Sequence, residues 1–312
     1  MPGYGKLLTM RYAISIPQFH ADGTFDPAAF RTYMRRAEEL GFESAWTTEQ
    51  IIGTMPDLAP IETMTYAAAC TERIRLGCSM HVLPLYSPLH LAKSLSTLDQ
   101  LSRGRLEVGV GVGGRFRMFT AFAVDPSSLV ARFNESLDLM EKLWTDERVT
   151  FKGRFWQLED AAMEPKPWQK PRPPLWFGGT APAALRRAVS KADGFFGAGS
   201  QNTAQFAEQM GVIKDAVRES GRTGFRTAKR AYIAIDDDEE RARARMAEAL
   251  EKLYGYFGIQ VMGGAVFGPL EKCLRELRAI KDAGAEMILL NPLYDDLEQM
   301  ERLAAEVVPA AL

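Results

Sequence analysis

Glycine and small polar residues follow the short apolar runs of this sequence, and the run Leu106–Gly111 shows this most clearly. It continues directly into Val112, Gly113 and Gly114, so a buried strand would end in backbone that carries few side chains. Such backbone lets a flat or charged ligand approach closely. The glycines also fit the spacing G-x-G-x-x-G, but that motif requires a helix beginning within them, and none is predicted there. The segment therefore indicates a ligand site in an α/β architecture other than a dinucleotide-binding fold.

A second glycine-rich segment follows the apolar run Leu175–Phe177. It contains Gly178, Gly179, Thr180 and Pro182, and it predicts a helix that begins at once, with Thr180 as N-cap and the proline in the first turn. The free N–H groups of such a helix start can hold an anion. The same pattern is typical of any short loop between a strand and a helix, so both interpretations stay open.

The carboxylate best placed for chemistry is that of Glu49, which follows Thr47 and Thr48 at the end of a predicted strand. There it could move a proton or orient a neighbouring group. A surface ion pair or a helix cap would explain a single glutamate equally well. His81 is interpreted as a buried core histidine, and His20 is assigned no role.

Two classes of reaction lack the residues they need. Metal-dependent barrel hydrolases use several histidine and carboxylate ligands, and the chain has only three histidines, so no metal site is predicted. Nucleophilic hydrolysis lacks a G-x-S-x-G motif. The pattern instead favours chemistry supplied by a bound organic cofactor, for which the protein provides shape, orientation and hydrogen bonds.

Two apolar stretches near strand ends are candidate pocket walls. They are Phe116, Met118, Phe119 and Phe122, and the segments 254–258 and 261–267. Glycines in the second group would allow it to act as a movable lid. Core packing or a subunit interface explains either group equally well.

The composition is that of an ordinary globular protein with a large core. Of 312 residues, 46% are hydrophobic and 25% are charged, and the formal net charge is −2, which provides no basic surface for nucleic acid. No apolar run approaches the ~18 residues that span a bilayer, and the first residues contain no apolar leader. We therefore expect a cytoplasmic protein without nucleic-acid or membrane partners. Cys70, Cys78 and Cys273 form no C-x-x-C pair and are interpreted as reduced core residues.

Strand-like apolar runs alternate with helical patterns along the chain, which is the signature of repeated βα units around a parallel sheet. The eight runs with strand character are Tyr12–Ile16, Ser44–Thr47, Ile74–Val82, Leu106–Gly111, Leu175–Phe177, Gly194–Phe196, Ala231–Ile235 and Met287–Leu290. This count favours a closed (β/α)8 barrel over an open doubly wound sheet. We predict one α/β domain over residues 1–312, a TIM barrel with an insertion after the fourth strand at about residues 115–165. Active sites of such barrels lie at the carboxyl ends of the strands, which is where Glu49 and the glycine segments fall.

Several segments resemble the bacterial luciferase-like superfamily in order and spacing. They are Leu40–Trp46, Ile74–Gly77, Leu98–Leu106 with the glycine run after it, Leu175–Gly179 and Ala192–Phe196. The resemblance implies a barrel enzyme that binds either reduced flavin mononucleotide (FMN) or the 5-deazaflavin coenzyme F420, usually as a homodimer. Within the superfamily, the chain is most similar to the deazaflavin branch.

The resemblance also implies where the cofactor lies. In the deazaflavin branch, a bulge with a non-prolyl cis peptide at the end of the third strand backs the tricyclic ring, and this bond falls at Ser79-Met80. The other implied cofactor-binding residues are Thr47, Gly111, Val112, Gly178, Gly179 and Thr180. Those at the end of the fourth strand would flank the ring, and those after the fifth strand would receive the phosphate of the ribityl tail.

Two positions depart from the superfamily pattern. Many members have histidine directly after the acidic residue of the second strand, where this chain has Gln50 after Glu49. A glutamine can form hydrogen bonds but cannot deliver a proton, so the role of proton donor is either vacant in this chain or taken by Glu49. Glu49 and Gln50 are the candidate catalytic residues, which would place the substrate or handle its proton. Some members that oxidise sugar phosphates carry glutamate after the residue matching Gly113. Gly114 stands there in this chain, which argues against glucose 6-phosphate as substrate.

These residues lead to one main hypothesis and two alternatives. The main hypothesis is an oxidoreductase that transfers a hydride between F420 and a small organic substrate. The first alternative is a monooxygenase that uses O2 and reduced FMN from a partner flavin reductase. The second is a protein that binds the flavin or deazaflavin without catalysis.

Overall fold

We describe the protein from a computed structural model, which describes residues 10–19, 23–53, 56–114 and 117–310. Besides the short strands His81–Val82 and Val266–Gly268, which pair in parallel with it, the central sheet contains the eight strands that close the barrel. They are β1 (Arg11–Ser15), β2 (Ser44–Thr47), β3 (Arg75–Cys78), β4 (Leu106–Gly111), β5 (Leu175–Phe177), β6 (Gly194–Gly197), β7 (Arg226–Ile235) and β8 (Met287–Asn291).

The sheet closes on itself. Each strand pairs in parallel with the next, from β1 through to β8. The eighth then pairs in parallel with the first, so that Leu289 lies opposite Ala13. Closure leaves no unpaired sheet edge among these strands, and it confirms the predicted (β/α)8 TIM barrel.

Helices surround the barrel. They are α1 (Pro27–Glu39), α2 (Pro60–Cys70), α3 (Pro88–Leu101), α4 (Leu129–Thr145), α5 (Pro182–Lys191), α6 (Thr203–Ser220), α7 (Glu239–Tyr254), α8 (Gly258–Val261), α9 (Leu270–Ala283) and α10 (Asp296–Arg302). Between β4 and β5 the chain adds α4 and an antiparallel hairpin of Val149–Lys152 and Gln157–Ala161. In the described part of the chain, no helix combines the length and the apolar character needed to cross a bilayer.

Aromatic rings fill the lower part of the barrel. Trp46, Trp176 and Phe196 pack together inside it, and the two indole rings lie 6.0 Å apart, edge to face. Glycines on the neighbouring strands make room for them, because a Cβ at Gly77 or Gly194 would lie within 2.6 Å of an indole carbon. The barrel therefore has a packed interior below its carboxyl end, which is the end where barrel enzymes bind their ligands.

Two strands differ from the sequence prediction. The third strand ends at Cys78, and pairing with β4 resumes only at His81–Val82, because the intervening residues leave the ladder. The seventh strand begins at Arg226 and not at Ala231. Its charged first half carries no apolar signal in the sequence, although most of that half is buried in the fold.

The predicted start of α5 was wrong by one residue. Ala181, and not Thr180, is the N-cap, and it makes no side-chain capping bond. The reason is Pro182, which occupies the first helical position and disfavours helical geometry in the residue before it.

Candidate active site

The carboxyl ends of β3, β4 and β5 form a surface of nearly bare backbone, which we call the shelf and define as Ser79, Met80, Gly111 and Gly178. The peptide bond between Ser79 and Met80 is cis, as the resemblance implies. The Met80 side chain covers Gly178, where an added Cβ would lie 2.9 Å from Met80 Cγ. At Gly111, which is buried, an added Cβ would lie 3.6 Å from Met80 Cβ and 3.8 Å from Gly178 O, which is ordinary packing distance. The shelf offers a ligand one flexible thioether side chain and the backbone around it.

The carboxylate of Glu49 is bonded to the segment that follows the shelf. His81 Nδ1 donates to Glu49 Oε2 at 3.0 Å, the Val82 N–H donates to Oε1 at 2.9 Å, and the Tyr86 hydroxyl donates to Oε2 at 2.6 Å. The Glu49 and His81 side chains are each 1% exposed. Burial disfavours the charged form of His81, but Cys78 and Glu49 together raise the pKa of the imidazole to about 10. This arrangement makes Glu49 an anchor for the shelf.

A cavity of about 70 Å³ opens at the carboxyl ends of β1, β2, β7 and β8. Polar groups on its wall come from Gln18, Asp57, Tyr232, Tyr254, Asn291 and Asp296, and Trp46 forms part of its floor. Glu49 and Gln50 are not among the residues that line it. The cavity can accept a small organic group that carries a polar atom.

Two carboxyl groups of this cavity have no hydrogen-bonding partner among the described residues. Burial raises the pKa of Asp57 to about 6, although Arg230 acts against this rise. Burial also raises the pKa of Asp296 to about 6, and the neighbouring Asp295 adds to the effect. Both groups can therefore exchange a proton near neutral pH, which a carboxyl group with an ordinary pKa does not do efficiently.

A tyrosine pair closes another side of the cavity. The hydroxyl oxygens of Tyr232 on β7 and Tyr254 at the end of α7 lie 2.5 Å apart. Burial and the neighbouring Tyr232 raise the pKa of Tyr254 above its usual value, so this hydroxyl stays protonated at neutral pH. Tyr254 belongs to the segment that the sequence suggested as a pocket wall.

Arg230 on β7 connects the shelf to the cavity. Its Nη2 donates to Ser79 Oγ at 2.6 Å, to Ser79 O at 3.2 Å and to Thr47 O at 3.4 Å. Tyr232, two residues further along the strand, lines the cavity. Because alternate residues of a strand face the same side, the guanidinium lies between the shelf and the tyrosine pair.

The other residues implied by the resemblance have varied surroundings. Thr47 is buried, and its hydroxyl donates to Gly77 O at 3.2 Å, so its side chain faces β3 and not the cavity. Val112 packs its side chain against the cluster around Phe119. Thr180 is exposed at the start of α5.

Gln50 is partly exposed and lies against Gly53, where an added Cβ would lie within 3.2 Å of the Gln50 side chain. A Cβ added at Gly179 would lie 2.9 Å from Ala184 Cβ. Of the proposed apolar wall, Phe116 and the side chain of Met118 lie outside the described residues.

Sequence reasoning missed three residues of this region. Asp57 lies in the loop between β2 and α2, and no local pattern marks it. Asp296 resembles an ordinary first-turn acid of a helix. Arg230 had a usable signal, because Ala228, Arg230 and Tyr232 alternate on one face of a strand.

The sequence matches the luciferase-like monooxygenase family over residues 10–304. The chain belongs to this family. Among described residues, no group of three or more His, Cys, Asp or Glu side chains is arranged to hold a metal ion.

Relatives in the luciferase-like family use two different coenzymes. The chain is 27% identical over 251 residues to an F420-dependent glucose-6-phosphate dehydrogenase of Kineococcus radiotolerans, a match that covers 77% of this chain and 72% of that protein. It is 28% identical over 225 residues to an FMNH2-dependent dimethylsulfone monooxygenase of Pseudomonas putida, which covers 69% of this chain and 60% of that protein. The chain therefore spans between three fifths and three quarters of these relatives' lengths.

Solved structures resemble this fold over nearly its whole length. The monooxygenase RslO1 from Streptomyces bottropensis has a TM-score of 0.81 and 26% identity, with 96% of this chain and 99% of that chain covered. An F420-dependent secondary alcohol dehydrogenase in complex with an F420-acetone adduct has a TM-score of 0.82 at 19% identity. The match covers 97% of this chain and 99% of that chain. The second likeness is one of fold.

The shelf and the cavity fit the needs of a flavin or deazaflavin coenzyme. Gly111 adds no side chain to the shelf, and the Met80 thioether is a soft, polarizable contact for an aromatic face. The Gly178 N–H donates to Val110 O at 3.1 Å, so a phosphate before α5 would have to bind the N–H groups that follow Gly178. Beside them, the cavity can hold a small organic molecule and handle its proton.

Proposed function

We propose that this member of the luciferase-like family is an F420-dependent oxidoreductase acting on a small, uncharged organic substrate that carries a carbonyl or hydroxyl group. The shelf residues Ser79, Met80 and Gly111 would hold the deazaflavin ring, and Gly178, Gly179 and Thr180 would bind the phosphate of its tail. When bound, F420 supplies a hydride or accepts one. The chain then has to hold the substrate and provide a place for its proton.

The observation that supports hydride transfer is the acidic, hydrogen-bonding wall of the cavity. Reduction of a carbonyl group needs one proton for the oxygen, and Asp57 and Asp296 are acids with pKa values raised to about 6. Tyr232 and Tyr254 provide hydroxyl groups on the same cavity. A monooxygenase has to exclude water to protect a reactive oxygen intermediate, and in this cavity two carboxyl groups share the wall with apolar residues.

The carboxyl groups of the same wall disfavour a negatively charged substrate. A phosphate or carboxylate group in this cavity would face two carboxyl groups, and like charges at close range disfavour binding. Arg230 already donates to Ser79 and Thr47. This supports a neutral substrate, and it agrees with the absence of glutamate at Gly114 in arguing against glucose 6-phosphate.

An FMN-dependent monooxygenase is the second candidate. It is supported by the similarity to the Pseudomonas putida monooxygenase and to RslO1. Such an enzyme would require reduced FMN from a partner reductase, and its cavity would have to exclude water once the substrate is bound.

Steady-state turnover distinguishes these candidates. Oxidation of reduced F420 is followed by absorbance with a panel of ketones, enones and nitroarenes, and each assay is repeated with FMNH2 and O2. The proposal predicts turnover with reduced F420 under anaerobic conditions, and faster turnover with neutral ketones than with keto acids of the same size. Oxygen-dependent product formation with FMNH2, without F420 turnover, would establish the second candidate. Binding without turnover for either coenzyme would leave a non-catalytic binder.

A further inference from the structure

Neither of the two candidate residues that follow β2 can serve as the proton donor of the cavity. Gln50 cannot donate a proton as an acid does. Glu49 is bonded to His81, Val82 and Tyr86 and does not line the cavity. The acid must therefore be one of the residues that line the cavity.

We propose that Asp57, in the loop between β2 and α2, is the acid that gives its proton to the substrate. This inference rests on the proposed function. Its carboxyl group lines the cavity and has no hydrogen-bonding partner among the described residues. Arg230, its charged neighbour, also contacts Ser79 of the shelf. Asp57 is thus placed on the side of the cavity where the ring and the substrate would meet.

Asp296 is a weaker candidate for the same role. It is an electrostatic neighbour of the Tyr33 hydroxyl, which donates to Ser15 O at 3.0 Å, and this places it toward β1 and α1. Within the described ranges of the chain, no hydrogen bond or ion pair links Asp296 to the shelf. Asp57 also has Arg230 beside it to stabilise the carboxylate that remains after proton transfer.

The proposed step balances in the direction of carbonyl reduction. If reduced F420 supplied a hydride to the carbonyl carbon, the electron pair of the C=O π bond would move to oxygen, and this oxygen would take the proton of Asp57. The products would be an alcohol, oxidised F420, the Asp57 carboxylate and one proton released from the coenzyme ring, and this proton would restore the Asp57 acid through water. In alcohol oxidation the carboxylate accepts the hydroxyl proton instead.

Charged and titratable groups from three elements surround Asp57 and set its pH behaviour. Arg230 on β7 lowers its pKa, burial raises it to about 6, Tyr254 on α7 is an electrostatic neighbour, and Asp296 on α10 shares the cavity. In carbonyl reduction, kcat/KM should therefore fall as the pH rises above about 6, because the acid must be protonated to act.

The test compares Asp57→Asn with Asp57→Glu and with Asp282→Asn, which changes an exposed aspartate at the end of α9. We expect Asp57→Asn to lower kcat/KM for ketone reduction by about 100-fold or more and to remove the pH dependence. Its F420 affinity, from fluorescence titration, should stay close to that of the wild type. Asp57→Glu should recover part of the rate with a shifted pH profile, and Asp282→Asn should match the wild type.

A second measurement uses the protein without coenzyme. The raised pKa means that the folded state loses stability as the pH rises from the ordinary value of 3.8 through about 6. Asp57→Asn removes this loss, so its Tm relative to the wild type should rise with pH over that range. A Tm below that of the wild type at both ends of the range would show a structural role and overturn the inference.

The outcomes separate this inference from the proposed function. Unchanged kcat/KM and an unchanged pH profile in Asp57→Asn, with F420 turnover intact in the wild type, would overturn the role of Asp57 alone. Absence of F420 binding by the wild type would overturn the proposed function, and the role of Asp57 with it.

Discussion

Glu49 shows how a residue can resemble a catalytic group in sequence and have a different task in the fold. It stands at the end of β2, where barrel enzymes place their acids, yet three groups from the segment 81–86 bond its carboxylate. Buried carboxylates with this many donors hold a segment in place. Its contribution to the site is the position of the chain beside Met80.

We predict that Glu49→Ala lowers the free energy of unfolding by about 3 to 5 kcal/mol, because His81 and the Val82 N–H lose their partner in a buried place. Urea unfolding at neutral pH measures the change. Glu43→Ala is the matched control, since Glu43 is 35% exposed and pairs with Arg11 at 2.8 Å; this variant should cost about 1 kcal/mol or less.

If Glu49→Ala unfolded at the same urea concentration as the wild type but had lost turnover, the anchoring role would be wrong. Glu49 would then act on the substrate directly. A loss of stability together with weaker coenzyme binding agrees with the anchor, because both follow from a displaced shelf.

At the scale of elements, β4 contains two glycines on one face with different tasks. A Cβ at Gly109 would lie 2.0 Å from Cys78 O, whereas one at Gly111 would have no atom closer than 3.6 Å. The first glycine permits the approach of two strands. The second has Met80 and Gly178 around it at ordinary packing distance, so a methyl group could fit there.

This difference predicts opposite results for one kind of substitution. Gly109→Ala should lower the free energy of unfolding by about 1 to 3 kcal/mol, because the backbone of β3 must move. Gly111→Ala should leave the Tm close to that of the wild type and weaken F420 binding by about tenfold, since the methyl group would press on the Met80 side chain, 3.6 Å away at Cβ, on which the ring is proposed to lie. Thermal unfolding and fluorescence titration of both variants measure this. If Gly111→Ala bound F420 as tightly as the wild type, the proposal that the ring lies on the shelf would be wrong.

Strand β7 carries a second buried cation beside Arg230. Lys229 Nζ donates to Ala198 O at 2.7 Å and to Arg230 O at 2.8 Å, and the residue is 1% exposed. Burial, with the charge of Arg230, lowers the pKa of Lys229 from 10.5 to about 7. The amine fixes the loop after β6 to the strand.

The depressed pKa makes stability depend on pH in a defined direction. Between about 7 and 10.5, the unfolded chain binds the proton and the folded chain does not, so the stability of the wild type rises with pH. The wild type should therefore gain free energy of unfolding relative to Lys229→Met across this range. Urea unfolding at about pH 6 and about pH 9 measures the gain, and exposed Lys152→Met should give none. A difference that does not change with pH would contradict the lowered pKa.

At the scale of the whole molecule, the sequence was sufficient for the architecture. Repeated apolar runs and caps such as Asp26-Pro27 predict a (β/α)8 barrel, because each unit must bury one face against a common sheet. The charged half of β7 has only the alternation of Ala228, Arg230 and Tyr232 as a signal, since its burial depends on acceptors such as Ala198 O and Ser79 O from other parts of the barrel. The cavity was hidden for the same reason: Asp57, Tyr254 and Asp296 lie far apart in sequence and meet only when the barrel closes.

Titration of the coenzyme-free protein with F420 and, separately, with FMN tests the central claim most directly. Trp46 lies at the floor of the cavity, so its fluorescence should report a ring bound at the shelf. We predict saturable quenching by F420 with Kd on the order of 1 µM, about 8 kcal/mol of binding free energy, and much weaker binding of FMN. Saturation by FMN with no response to F420 would contradict the account.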